Sequence, residues 1–221
     1  WLLDDLPRQM RALGVPGIGI AVVEDGALAW SRSVGIADAT RGTPVDDASL
    51  WEAASLSKPV FAYAVLQLVD RGELALDAPL VRYARPAYLG KSPWLARITV
   101  RDVLRHTTGL PNWRKEPARE PLEPAVAPGT RIDYSGEAFT WLQLAVEAVT
   151  GESLDQSLHR LLFDPAGMRD SSYGWDAALA ARSVFGHGGP DDVQPGLPPQ
   201  GLRDAWEAAE PVALRWGKAL S

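Results

Sequence analysis

The strongest constraint on the fold of this chain is an Asp25-Gly26 pair that separates two apolar runs, residues 18–23 and 27–30. Such a pair favours a tight hairpin because the turn residues must adopt positive φ. A two-stranded hairpin is marginally stable in water, so these apolar strands need further strands beside them. The rest of the sequence offers no convincing strand, and residues 186–201 are so rich in glycine and proline that we expect a loop there. The sequence therefore predicts an antiparallel sheet that is incomplete within this chain.

Helical patterns dominate the rest of the chain. Apolar residues follow helical spacing over residues 2–13, 55–72, 138–149 and 202–220. A glycine marks the end of the second and of the third of these helices. Helical and strand patterns thus occupy different parts of the chain, which is typical of an α+β fold.

Two short helices carry the signature of a capping box, in which a side chain and a backbone N–H at the helix start bond reciprocally. Thr99 stands three residues before Asp102, and Ser153 stands three residues before Gln156. We expect the second of these helices to stop near Pro165, because the residue before a proline avoids helical backbone.

These elements predict one α+β unit over residues 1–221. Residues 1–50, with the N-terminal helix and the hairpin, belong to its sheet part. Residues 51–180 form a mostly helical part, in which the proline-rich segment 111–128 is a long loop. Residues 181–221 form a loop and a C-terminal helix.

Composition excludes several classes of function. The net charge is −6, whereas a nucleic-acid-binding protein needs a basic face. Cysteine is absent, so disulfides, thiol nucleophiles and thiolate metal sites are excluded. The three histidines lack the spacing of a zinc site, and no apolar run is long enough to span a membrane. No signal peptide is visible, but the sequence starts at Trp1 rather than at a methionine, so the cellular compartment stays open.

Ser55 and Lys58 stand three residues apart at the start of a helical stretch, so their side chains share one face. A serine hydroxyl becomes a nucleophile when a base takes its proton, and a lysine can be that base where burial lowers its pKa. The positive end of the helix favours a developing oxyanion at Ser55. Pro59 cannot donate to the Ser55 carbonyl, so regular helix cannot extend far before the serine. The spacing alone also fits a capped, solvated Ser/Lys pair.

Four stretches, in the same order, resemble the serine β-lactamase and penicillin-binding protein superfamily, and most closely its branch of class C β-lactamases, D,D-peptidases and related esterases. The four stretches are WEAASLSKPV with LQLVDRGELALDAPL within 51–80, ITVRDVLRHTTGLP at 98–111, PGTRIDYSG at 128–136 and FDPAGMRDS at 163–171. Together they cover most of residues 15–175.

The resemblance implies an α+β fold of the β-lactamase/transpeptidase type, with a helical domain and an antiparallel sheet domain that is incomplete in this chain. It also implies a hydrolase that works through an acyl-enzyme. Ser55 would attack the carbonyl of an ester, a β-lactam or a D-amino peptide, and Lys58 would accept or relay the serine proton. Tyr134 would exchange protons with Ser55 or with the leaving group. The partner is then a small-molecule substrate, and no metal or organic cofactor is needed.

Three positions modify this expectation. Gly136 stands where the family usually has an asparagine whose amide helps to hold the substrate, which argues against a lactam-specific role and fits esterase-like relatives better. His106 falls in a stretch that is a structural loop in the family. His187 superficially resembles the family's third motif, but it follows the tyrosine motif too closely along the chain.

The family's third motif and its last strands have no match in this sequence. In the family, the strand after that motif supplies one of two oxyanion-hole N–H groups, and loss of one such donor costs about 10²–10³ in rate. We therefore expect a fragment, or a chain whose sheet is completed by a second chain or a missing segment. We also expect residues 1–221 alone to be weakly active or inactive.

Two other functions compete with the hydrolase. A relative that keeps the fold without catalysis would act as a binding or scaffold module, and Gly136 together with the unmatched third motif favours it. The Ser55, Lys58 and Tyr134 set opposes it. An unrelated helical interaction protein would require all four ordered resemblances to be coincidental.

Overall fold

The computed structural model describes residues 2–39, 41–189 and 192–194. The chain divides into two compact units. The first, here called the sheet unit, contains residues 1–52 and 175–199, and the second, here called the helical unit, contains residues 53–174 as its continuous part.

The sheet unit begins with helix α1 (Leu2–Leu13) and continues into strands β1 (Gly17–Glu24), β2 (Ala27–Asp38) and β3 (Thr43–Pro44). The strands pair antiparallel in the order β1-β2-β3. Asp25 and Gly26 both have positive φ, 50° and 75°, which is the conformation that a tight hairpin turn requires. The predicted N-terminal helix and hairpin are therefore confirmed.

A second hairpin corrects the sequence-based expectation for residues 186–201. Strands β4 (Gly186–Gly189) and β5 (Asp192–Gln194) pair antiparallel, where we expected only loop and no further strand. Pairing is made by backbone N–H and C=O groups, which glycine supplies as well as any residue does, so a glycine-rich composition conceals a strand. The predicted helix over residues 202–220 lies outside the described residues.

The sheet unit has a small apolar core. Ala37, Val45 and Val184 form its cluster of buried side chains. Helix α7 (Ala177–Arg182) leads into this region, where Leu50 and Ser183 form an isolated parallel bridge. Most side chains of β2 are exposed along the first half of the strand.

The helical unit is built around a much larger core. A 3₁₀ turn (Ala54–Leu56) leads into α2 (Ser57–Asp70), and α3 (Val100–Leu104), α4 (Gly136–Thr150) and α5 (Leu154–Leu158) follow. The large apolar side chains that are fully buried come from these helices and the loops between them. They are Phe61, Leu68, Leu80, Ile98, Leu110, Leu122, Trp141, Leu142, Leu154 and Leu158.

Helix ends in this unit follow the local signals in the sequence. Thr99 and Ser153 close capping boxes at the starts of α3 and α5, as predicted. Gly151 ends α4 with a φ of 67°. The helical backbone continues from α5 through a π-helical turn (His159–Phe163) and α6 (Asp164–Ala166), so it ends close to Pro165, as expected. Pro165 is tolerated there because it lies in the first turn of α6, where a missing N–H costs no helical bond.

The proline-rich segment 111–128 is irregular, as expected, but it is tied to its surroundings by hydrogen bonds. Leu122 exchanges backbone hydrogen bonds with the 88–90 segment, and the Ala125 N–H donates to the Gly109 carbonyl at 2.9 Å. None of the helices among the described residues combines the length and the apolar content that crossing a bilayer requires.

Candidate active site

Ser55 lies on the 3₁₀ turn that introduces α2, and Lys58 lies in the first turn of the helix itself. The Lys58 ammonium donates to the Ser55 hydroxyl oxygen, with 3.2 Å between Nζ and Oγ. Lys58 is buried although it carries a charge, whereas Ser55 is exposed. Ala54, directly before the serine, has a φ of 42°, which is rare for a residue with a side chain and is found where function demands an unusual backbone.

Aromatic rings surround the Lys58 ammonium. Nζ lies 5.0 Å from the centroid of the Tyr134 ring and 5.7 Å from the centroid of the Phe139 ring. A cation at this distance from a ring face is attracted by the ring quadrupole, and the attraction grows when water is excluded. The two rings therefore stabilise a positive charge beside the Ser55 hydroxyl.

Tyr134 completes the arrangement. Its hydroxyl donates to the Ser55 Oγ across 2.8 Å, although the two residues are 79 positions apart in the sequence. Burial acts to raise the pKa of Tyr134, but the hydrogen bonds of its hydroxyl with Lys58 and Ser55 and the positive charge of Lys58 together outweigh burial, so its pKa lies below the ordinary value of 10.0. The structure thus brings all three predicted site residues together.

His106 supports the backbone on both sides of Tyr134. Its ring stacks on the Tyr134 ring with centroids 4.4 Å apart. Its Nδ1 accepts a hydrogen bond from the Ser135 N–H at 3.2 Å, and its carbonyl accepts one from the Asp133 N–H at 2.7 Å. Burial and, to a lesser extent, the nearby Lys58 charge lower the pKa of His106, which favours the neutral ring that can accept at Nδ1. These contacts agree with the structural role that the resemblance implies.

The first turn of α4 is tied to the proline-rich loop by contacts that sequence patterns could not predict. Asn112 accepts from the Gly136 N–H through its Oδ1 at 2.9 Å and from the Glu137 N–H through its carbonyl at 3.0 Å. The Arg114 Nε donates to a Glu137 carboxylate oxygen at 2.9 Å, with side chains only 7% and 1% exposed. These pairs are about two dozen residues apart, and neither belongs to a recognisable local motif.

His187 belongs to the sheet unit, whereas Ser55, Lys58 and Tyr134 belong to the helical unit. The His187 Nε2 accepts a hydrogen bond from the Ala39 N–H at 3.3 Å, so its ring takes part in the sheet unit's own bonding. Within the described ranges, no three His, Asp or Glu side chains come together as a candidate metal site.

Comparison with known proteins places this chain and its fold in the serine β-lactamase and penicillin-binding protein superfamily. The chain belongs to the beta-lactamase family, whose sequence profile matches residues 3–214. The fold is also that of D-alanine carboxypeptidase AmpC from Burkholderia cenocepacia, with a TM-score of 0.74 at 24% identity over 98% of this chain and 62% of that chain. The predicted superfamily and the predicted α+β fold are therefore confirmed.

Two curated relatives show which kinds of protein this chain is similar to. Esterase EstB of Burkholderia gladioli is 33% identical over 78% of this chain and 50% of its own length. Penicillin-binding protein 4 of Amycolatopsis lactamdurans is 30% identical over 93% of this chain and 56% of its own length. The chain spans about half the length of these relatives.

Proposed function

We propose that this protein is a serine hydrolase that acts through an acyl-enzyme on the carbonyl of an ester, a β-lactam or a D-amino peptide. The proposal rests on one observation: two groups that can exchange protons lie within hydrogen-bonding distance of the same serine hydroxyl. Ser55 Oγ lies 2.8 Å from the Tyr134 hydroxyl and 3.2 Å from the Lys58 Nζ. Both distances permit direct proton transfer.

The acylation step follows from this geometry. The Ser55 oxygen forms a bond to the substrate carbonyl carbon while its proton passes to the phenolate oxygen of Tyr134. The adjacent positive charge of Lys58 stabilises that phenolate before transfer. Tyr134 then gives the proton to the departing oxygen or nitrogen as the bond between the carbonyl carbon and the leaving group breaks. In the second half, water attacks the acyl carbon and gives a proton to Tyr134, and Tyr134 passes that proton to Ser55 Oγ as the bond between the acyl carbon and Oγ breaks.

Among the three substrate classes, we expect esters to react best. An ester has a good leaving group and needs no side-chain amide to hold it, and Gly136 provides none. The similarity to esterase EstB supports this choice, while the similarities to penicillin-binding protein 4 and to D-aminopeptidases of Cereibacter sphaeroides support the other two classes. Because we expect residues 1–221 alone to be weakly active, the test detects a single covalent modification of the protein rather than repeated turnover.

Covalent labelling followed by mass spectrometry tests the proposal. The protein is incubated with a fluorescent fluorophosphonate and, separately, with a fluorescent penicillin, and the modified peptide is identified. We expect label on Ser55, and we expect its loss in Ser55→Ala. Ser57→Ala is the matched control because this neighbouring serine is buried and should leave labelling intact.

The second candidate is a binding or scaffold module that keeps the fold without turnover. Gly136 favours it, since the position lacks a side chain that could hold a substrate. Absence of label from both probes, in a sample whose circular dichroism shows a folded protein, would support this alternative and contradict the hydrolase.

A further inference from the structure

Tyr173 has a buried hydroxyl that bonds directly to the turn carrying the site. The residue is only 5% exposed, and its hydroxyl donates to the Ser57 carbonyl oxygen at 2.5 Å. This carbonyl belongs to the peptide unit that ends at the Lys58 nitrogen, and it is independent of the Ser57 side chain. Because a peptide unit is planar, fixing its oxygen fixes the orientation of the backbone from which the Lys58 side chain projects.

The same hydroxyl also reaches the second turn of α2. In a regular α-helix the Ser57 carbonyl pairs with the N–H of Phe61, four residues further on. The Phe61 N–H is a hydrogen-bond partner of the Tyr173 hydroxyl as well. One buried oxygen atom therefore contacts both ends of the helical step that spans Lys58.

Tyr173 is itself held firmly by its surroundings. One carboxylate oxygen of Asp155, on α5, accepts three hydrogen bonds from this segment. The donors are the Ser172 hydroxyl at 2.9 Å, the Tyr173 N–H at 2.6 Å and the Gly174 N–H at 3.0 Å. The Tyr173 ring stacks on the Phe163 ring, with centroids 6.0 Å apart. A side chain that is already ordered in this way can restrain another group at little further entropic cost.

The Tyr173 hydroxyl stays a donor throughout the range in which Tyr134 loses its proton. Burial raises the pKa of Tyr173 far above its ordinary value. Burial acts in the same direction on Tyr134, but hydrogen bonds with Lys58 and Ser55 and the Lys58 charge lower the pKa of Tyr134. His106, which stacks on Tyr134, is neutral at alkaline pH because burial and then the Lys58 charge lower its pKa. The position of the Lys58 ammonium is therefore read out by the pKa of Tyr134.

We propose that Tyr173 is a positioning residue that holds the Lys58 ammonium where it stabilises the Tyr134 phenolate. Its hydroxyl acts through the Ser57 carbonyl rather than on the reacting atoms. Phenylalanine at position 173 would keep the ring packing and lose the hold on α2. The catalytic importance of this hold rests on the proposed hydrolase function, whereas the hold itself can be measured without catalysis.

An ultraviolet titration of Tyr134 tests the hold. Tyrosinate absorbance is recorded against pH for each protein, and subtraction of the same titration with Tyr134→Phe added isolates the Tyr134 signal. We expect Tyr173→Phe to raise the pKa of Tyr134 by about 0.5–1 pH unit, because a less restrained Lys58 ammonium stabilises the phenolate less. The midpoint of the pH profile of Ser55 labelling by fluorophosphonate should rise equally. The labelling rate at neutral pH should fall about three- to tenfold, since the phenolate fraction falls by that factor.

Tyr83→Phe is the matched control. The Tyr83 hydroxyl accepts from the Ala75 N–H at 2.9 Å, so this variant also removes a tyrosine hydroxyl that bonds to the backbone of the helical unit. It should leave the pKa of Tyr134 and the labelling midpoint unchanged. Circular dichroism establishes that each variant is folded before it is compared.

A double-mutant cycle tests whether Tyr173 acts through Lys58. Lys58→Met removes the ammonium, so the addition of Tyr173→Phe should leave the pKa of Tyr134 where Lys58→Met puts it. A further rise in the double variant would show a route that bypasses Lys58 and would overturn the proposal.

The outcomes separate the positioning role from the hydrolase. An unchanged pKa of Tyr134 in Tyr173→Phe, or an equal rise in Tyr83→Phe, would overturn the positioning role and leave the hydrolase in place. Equal slowing of labelling at every pH, with an unchanged midpoint, would overturn it as well, since that result shows a general structural effect. Failure of the parent protein to label at Ser55 would overturn the hydrolase, and the titration of Tyr134 would still decide whether Tyr173 holds Lys58.

Discussion

At the scale of single residues, the proposed mechanism uses Tyr134 as a base, although the ordinary pKa of a tyrosine is too high for a base at neutral pH. Tyr134 donates to Ser55 in the resting geometry, so it must lose its own proton before it can accept that of the serine. Its lowered pKa, with Lys58 and Ser55 outweighing the effect of burial, brings this deprotonation closer to neutrality. The proposed mechanism therefore depends on the position of the Lys58 ammonium as well as on Ser55.

A pH profile of Ser55 labelling should show this directly. The rate constant for fluorophosphonate labelling is expected to rise with pH with a midpoint below pH 10, because in the proposed mechanism the reactive form carries the Tyr134 phenolate, whose pKa is below that value. Tyr134→Phe should lose the rising limb and fall by about 10²–10⁴, the usual contribution of a general base. Labelling is measured by gel fluorescence across pH 6 to 10.5.

Tyr63→Phe is the control for this experiment, since Tyr63 is an exposed tyrosine on α2. It should reproduce the parental rate and profile. Parental labelling rates in Tyr134→Phe at every pH would contradict a proton-transfer role for Tyr134.

The three site residues differ in how far the sequence could identify them. Ser55 and Lys58 are three positions apart, so helical geometry alone predicts that their side chains meet. Tyr134 is 79 positions from Ser55, and only the family resemblance singled it out. The contacts of Asn112 with the first turn of α4 carried no signal, because they depend on how a long loop folds back on the helix.

At the scale of elements, the sequence likewise predicted the structure that is set by neighbouring residues and missed structure that is not. The Asp25-Gly26 turn and the capping boxes at Thr99 and Ser153 are fixed within four residues, and the sequence predicted each of them. The β4–β5 hairpin was missed because its glycines carry no strand pattern, although their backbone groups pair normally. Periodicity and capping rules report only on interactions along one element.

The buried ion pair between Arg114 and Glu137 ties the proline-rich loop to α4. Glu137→Gln leaves the Arg114 charge buried without its partner, and it should lower the free energy of unfolding by about 3–5 kcal/mol. The double variant Arg114→Met with Glu137→Leu should recover part of that loss, because it removes both charges. Urea denaturation followed by circular dichroism measures both values.

An exposed ion pair in the same loop provides the comparison. Arg119 and Glu116 are largely exposed, so Arg119→Ala should change the free energy of unfolding by less than about 1 kcal/mol. If Glu137→Gln were no more destabilising than Arg119→Ala, the tie between loop and helix would not depend on this pair.

At the scale of the whole molecule, the apolar core is distributed unevenly between the two units. The large cluster of buried side chains lies entirely between Phe61 and Tyr173, within the helical unit. Among the described residues, the cluster in the sheet unit consists of Ala37, Val45 and Val184. Because burial of apolar surface is the main source of folding stability, each unit should resist opening in proportion to its own core.

Hydrogen–deuterium exchange should reveal this difference. Amides of α2 and α4 are expected to exchange at least about 100-fold more slowly than those of β1 and β2, because local opening of the helices exposes far more buried apolar surface. Peptides covering each element are followed by mass spectrometry on a monomeric sample. Protection of β1 and β2 equal to that of α4 would contradict the prediction. A second chain that paired with the sheet would raise protection in β1 and β2 as the protein concentration increases while leaving α2 and α4 unchanged, so a concentration series separates added strands from intrinsic stability.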